Sequence, residues 1–289
     1  MSYLDDQIKH RVALEKLKNS IAFDLLKRFN LIYPELSDIL ITMEGKKADT
    51  IIKEINKIID SNIKLLSNNI TDTSIDIAKY EYAFQTALIA TYTTKKVSEK
   101  VINNELARKL VFDNLMAGEI YTKTINRFGQ SFKDEVEKNV RIGIVNGQTT
   151  KQISNLVKTN VNIKRNQLDS VVRTVTQSVV NSANEEVYKN NKSIIKKYKY
   201  LAILDARTTD ICKSLNNKIF EVGKGPLPPQ HFNCRSFTVP VIEDLEVEEY
   251  DTYNQWYSKQ ESKSGIKSNK DDKFETNDKI TLNKLESEL

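Results

Sequence analysis

From residue 11 to residue 183 apolar side chains return every three or four positions, and that period marks the chain as mainly helical. Val12, Leu14, Leu17, Ile21, Leu25 and Phe29 predict an amphipathic helix over 11–29. Pro34, followed by Glu35 and Leu36, fits a helix restart that ends at Gly45. Ile51, Ile52, Ile55, Ile58, Ile59, Ile63 and Leu66 predict a bundle helix over 46–66, with further helices over 75–100 and 104–128. Gly118 is a candidate break in the last of these. After a helix over 131–145, Gly147 reads as a stop and Thr149 or Thr150 as the next N-cap, opening a short helix. Leu168, Val171, Val172, Val175, Val179 and Ala183 then form one buried stripe. Arg173, Gln177 and Asn181 line another face, which reads first as solvated and second as a contact surface. Tyr80, Tyr82, Phe84 and Tyr92 read as packing groups and not as a platform for stacked bases. Only eight Gly and five Pro interrupt the 289 residues, which agrees with long regular elements.

At residue 198 the period changes. YKYLAIL alternates, KIFEV follows an Asn-Asn turn, and SFTVPVI is rich in strand formers, so a small sheet begins here. The expected fold is mainly α, a long helical N-terminal part followed by a small α+β C-terminal module. The expected divisions are a helical docking region over 1–130, a second helical part over 131–197, the module over 198–245, and an acidic run and polar tail over 246–289. The tail carries no strong apolar period and reads as extended or weakly helical.

Charge narrows the partners. The net charge is +5, yet residues 151–200 hold ten Lys and Arg against only Asp169, Glu185 and Glu186. A local basic stretch of this kind can meet phosphate if its cations share a face. Lys151, Lys158, Lys164, Arg165, Lys196, Lys197 and Lys199 are therefore candidate contacts to double-stranded DNA. No sequence-reading motif accompanies them, so such binding is expected to ignore sequence. No window offers the ~20 apolar residues of a membrane span, and the N-terminus lacks a signal-peptide core, so synthesis in a cytosol-like compartment is expected.

Three of the four Cys and His residues fall close together: Cys212, His231 and Cys234. Two thiolates and an imidazole are zinc-ligand types, with Asp205, Asp210 or a water as fourth donor, giving one Zn2+ per module. A metal-free packed cluster, a Cys212–Cys234 disulfide and a Cys–His nucleophile are the competing readings. Asp205 is expected to cap the short helix leading to Cys212, while Arg207 and Arg235 pair with acids and join the two halves of the motif.

Taken in order, Asp205-Ala-Arg207-Thr208 to Cys212, then Pro228-Pro229-Gln-His231-Phe-Asn-Cys234-Arg235, resembles the signature of Mu-F-like phage minor head proteins. The upstream NGQTT segment and the helix carrying Arg173-Thr174 match the same layout, so the resemblance covers roughly residues 130–242. Ser236 stands where many relatives place another cysteine, and Val175 where an acid often follows Arg-Thr. The resemblance implies a non-enzymatic structural protein of a tailed-phage virion, made in the bacterial cytoplasm and placed in the head interior or at the portal vertex. It would act in head assembly or genome delivery, with the portal protein and the major capsid protein or scaffold as partners. The alternatives are a DNA-binding protein packaged in the virion and an effector or toxin enzyme built on a Mu-F-like module. The latter is weakened by the roughly 40 residues that follow the acidic run, fewer than the ~50 of even a small domain.

Overall fold

The computed structural model describes residues 3–98, 100–242, 251 and 255, so the acidic run and the tail lie almost wholly outside the described residues. The chain opens with α1 (Tyr3–Phe29) and α2 (Ile32–Thr42), joined by a two-residue turn. Then come α3 (Ala48–Tyr92) and α4 (Asn104–Phe112), followed by a hairpin of β1 (Leu115–Met116) and β2 (Glu119–Ile120). Two long helices follow, α5 (Tyr121–Val145) and α6 (Thr150–Asn190). The chain closes with β3 (Lys197–Leu201), α7 (Asp210–Leu215), β4 (Ile219–Glu221) and β5 (Phe237–Val241). The mainly α architecture with a small C-terminal sheet is the one expected, and helices and sheet pack as one compact unit.

Helix α3 corrects the sequence reading, which placed separate helices over 46–66 and 75–100. Its 45 residues run without interruption for roughly 68 Å at 1.5 Å per residue. The intervening polar stretch costs only a few tenths of a kcal/mol per residue in propensity. Packing outweighs that cost, because Ile70, Thr71 and Ser74 are buried and the Tyr121 hydroxyl at the start of α5 donates to the Ser67 carbonyl at 3.0 Å. Helix α5 likewise begins at Tyr121 and not near 131, since Tyr121, Ile125, Phe128, Phe132, Val136 and Val140 form one buried stripe. The helix expected over 104–128 is broken around Gly118, as the sequence suggested: α4 stops at Phe112, α5 starts at Tyr121, and Gly118 with Ala117 makes the two-residue turn of the β1–β2 hairpin between them, where both residues have positive φ.

Helix α6 is the spine against which α1, α2, α3, α4 and α5 all pack. Thr149 starts it with a capping box: its hydroxyl accepts from the Gln152 N–H, and the Gln152 side chain accepts from the Thr149 N–H at 2.8 Å. The expected short helix is in fact the first turns of this 41-residue element. Its Gln177 and Asn181 are buried, so the polar stripe is neither a solvated face nor an outer contact surface. It is an internal seam: Arg173 pairs with Asp169 at 2.8 Å and donates to Asn19 of α1 at 2.6 Å, and Gln177 accepts from the buried Lys18 ammonium.

A second internal polar seam ties α1 to α3. Glu81 is fully buried, with its carboxylate 2.6 Å from His10 Nε2 and 3.5 Å from Arg11, and it accepts from Gln85 at 3.0 Å. Burial alone would raise the Glu81 carboxyl, but Arg11, His10 and Gln85 outweigh it and hold the group below its ordinary value. Three of the four aromatic side chains nearby are packing groups, as expected: Tyr82 is buried, Tyr92 meets Tyr3 edge to face, and Phe84 stacks on His10; Tyr80 instead lies on the surface, 54% exposed.

The C-terminal sheet is antiparallel in the order β4–β3–β5, with Tyr198 opposite both Phe220 and Pro240. Its central strand buries Tyr198, Tyr200 and Leu201, and Tyr188 of α6 donates to the Thr238 carbonyl of β5 at 3.2 Å. Sheet and helices therefore share one core, and the sheet fixes where the chain leaves β3 and enters β5.

Candidate metal centre

Both segments that carry the Cys and His residues are built by short-range hydrogen bonding. After β3 the chain turns on Asp205, whose Oδ1 accepts from the Arg207 N–H at 2.8 Å, while its own N–H donates to Thr208 Oγ1 at 2.8 Å. The Thr208 hydroxyl donates in turn to the Ile203 carbonyl at 2.7 Å. Helix α7 starts only at Asp210, with Thr209 at its N-cap. Asp205 therefore does not cap α7 as expected; it lies too far upstream and closes the preceding turn. Cys212 is the third residue of α7 and faces inward.

The second segment turns through Pro228 and Pro229 into His231-Phe-Asn-Cys234, where the Cys234 N–H donates to the His231 carbonyl at 3.2 Å. Asn233 has a φ of 57°, and α6 clamps the turn there: the Asn233 N–H donates to Thr174 Oγ1 at 3.0 Å and its amide to Ser170 Oγ at 2.9 Å. From the hairpin, the Ala117 N–H donates to the Pro229 carbonyl at 3.1 Å. From below, Gln177 donates to the Ser236 carbonyl and holds Lys18 on its other side. None of Lys18, Ser170 or Gln177 carries a sequence signal for this role, because each acts across a large sequence separation. Thr174 was marked by the Arg173-Thr174 pair, and Gln177 only as part of a polar stripe read first as solvated.

The two segments meet in a cluster. Cys212 Sγ lies 3.2 Å from His231 Nε2 and 3.7 Å from Cys234 Sγ, and the three donor atoms all lie within 4.8 Å of one another. The His231 Nδ1 lies 2.8 Å from the Phe232 carbonyl, which can only accept, so the proton sits on Nδ1 and the Nε2 lone pair faces the sulfurs. Both cysteines are free and buried, whereas His231 is half-buried. Hydrogen bonding from the Cys234 thiol pulls Cys212 below its ordinary value against the opposing effect of burial. The same bond, reinforced by burial, pushes Cys234 up. Tyr200 closes the floor 3.5 Å from Cys212 Sγ, its hydroxyl kept protonated chiefly by burial.

The expected fourth donors do not join. Both Asp205 oxygens accept from Arg235 at 2.7 Å, and Asp210 is exposed and paired with Lys213 at 3.2 Å. Burial would raise the Asp205 carboxyl, but hydrogen bonding and charge from Arg235, helped by Arg207, hold it down. Arg235 and Arg207, the latter at 3.4 Å, thus take the acid-pairing role expected of them, and Arg235 joins the two motif halves. The nucleophile reading fares poorly on geometry. Cys212 is only 2% exposed, and among the described residues no carboxylate orients the imidazole.

The basic candidates do not form one surface. Lys164 is fully buried and bonded to Glu135, Ser131 and Gln167, because an ammonium taken from water needs such partners, so it cannot reach phosphate. Lys199 is also buried, in the central strand, and Arg165 is half-buried. The exposed Lys151 and Lys158 lie near the start of α6, and the exposed Lys196 and Lys197 lie beyond its end, some 50 Å or more along the axis.

A family model described as phage Mu protein F like protein matches residues 134–239. The matched region runs from within α5 to β5 and takes in the capping box, the α6 clamp and both halves of the Cys–His cluster. No curated protein and no solved structure matches the chain.

Proposed function

We propose that this chain, whose residues 134–239 are phage Mu F-like, is a structural phage head morphogenesis protein seated at the portal vertex. The observation that carries the reading is the match itself, which spans a continuous structural unit and not an isolated motif. The long helices form a docking scaffold, and the module anchors the chain end without chemistry of its own. Two features of the molecule support a structural role: the thiols are buried, and among the described residues no helix is long and apolar enough to cross a membrane. The separation of the exposed lysines along α6 argues against a DNA-binding protein as the primary reading.

The test is mass spectrometry of purified heads from the phage or prophage that encodes the chain, with cross-linking to the portal protein. The chain is expected in few copies per particle and cross-linked to the portal, and its deletion should reduce infectious heads. Particles that lack the chain, or that assemble and infect equally well without it, would refute the proposal.

A further inference from the structure

The geometry points to a zinc site in which Cys212, His231 and Cys234 supply three donors and solvent the fourth. It stands independently of the head-assembly reading. Tetrahedral zinc with Zn–S bonds of about 2.3 Å holds two sulfurs about 3.8 Å apart, and sulfur and imidazole nitrogen about 3.6 Å apart. The sulfurs here stand at 3.7 Å and the nearer sulfur–nitrogen pair at 3.2 Å, each within a few tenths of an ångström of those spacings, and all three donors lie within 4.8 Å of one another, so a side-chain shift of His231 toward Cys234 of at most about 1 Å completes the set. The imidazole presents its lone pair already aimed, because the Phe232 carbonyl holds the Nδ1 proton, the outer-shell arrangement common to zinc-bound histidines. Two thiolates and an imidazole select a soft or borderline ion over magnesium or calcium. Binding needs both sulfurs as thiolates, so any proton they hold is released to solvent, and the resulting dithiolate and Zn2+ cancel in charge, which suits a buried site. Among the described residues no further Cys, His or carboxylate joins the cluster, while half-buried His231 leaves a side open to water. The ion would fasten α7 to the turn before β5, adding to the Asp205–Arg235 pair a second tie between segments that β4 and its flanking turns separate in the chain.

The full chain, purified under reducing conditions, is expected to contain about one zinc ion by elemental analysis. Replacement by cobalt(II) should give the visible bands of a tetrahedral ion and thiolate-to-metal charge transfer in the near ultraviolet. Cys212→Ser, Cys234→Ser and His231→Ala should each weaken retention against a chelator by roughly a hundredfold or more, whereas Asp210→Asn should leave it unchanged. The cobalt spectrum of the unaltered chain decides the matter if a variant fails to fold. Absence of zinc together with absence of thiolate charge transfer would overturn the site. So would equal retention in the three variants, a dependence on Asp210, or quantitative Cys212–Cys234 disulfide in the reduced preparation.

Discussion

Breaking the Asp205–Arg235 pair tests whether the two halves of the Cys–His motif are coupled before any ion binds. Arg235 donates to both carboxylate oxygens at 2.7 Å, with the side chains 22% and 26% exposed. Fully exposed pairs contribute at most about 1 kcal/mol, and breaking a buried pair costs about 3–5 kcal/mol. The intermediate exposure and bidentate geometry place Asp205→Ala and Arg235→Ala at about 2 kcal/mol each. The two losses should not add. Removing either partner already abolishes the shared bonds, so a double-mutant cycle should return a coupling of about 1.5 kcal/mol. Urea unfolding measured in chelator supplies the cycle, and hydrogen exchange over 203–236 reports whether the loosening is local. Additivity within about 0.5 kcal/mol would show that the pair does not hold the motif together.

Two glycines of α5 should respond oppositely to alanine. In Gly143→Ala the new methyl meets Ile153 at 2.5 Å, which outweighs the ~1 kcal/mol helix-propensity gain and destabilises by about 1–2 kcal/mol, whereas Gly129→Ala meets only the Ile63 side chain at 3.1 Å and should be neutral or stabilising in thermal unfolding. Glu81→Gln should cost about 3 kcal/mol at neutral pH. Because the Glu81 carboxyl is held down in the folded state, its contribution is complete above the unfolded value near 4.3 and fades as pH falls through the folded value. The variant should therefore flatten the acid limb of a melting-temperature profile taken from pH 7 to 3; an unchanged limb would count against the buried network. Lys164→Ala should lower stability by about 2 kcal/mol without changing duplex DNA binding, and Lys196→Ala should leave stability unchanged; loss of DNA affinity at Lys164 would contradict its buried pairing.

Local chemistry was legible in the sequence. The apolar period marked the chain as helical and located the buried stripe from Leu168 to Ala183 though not every helix boundary, residue type placed the α6 cap at Thr149 or its neighbour, and strand formers located all three strands of the C-terminal sheet. These follow from backbone geometry and side-chain type, which act over a few residues. The approach of Cys212, His231 and Cys234 was legible only as clustering in the chain, since spacing cannot say which side chains turn inward. Tertiary structure alone decided the rest. Packing against α5 carried α3 through a polar stretch that propensity would break, and packing against α1 and the sheet converted the Arg173–Gln177–Asn181 face into an internal seam. Contact with Glu135 withdrew Lys164 from solvent, and Arg235 claimed both oxygens of Asp205. In each case the deciding partner lies roughly thirty or more residues away or on another element. Its effect on burial and charge exceeds any local preference, so no window of sequence contains it.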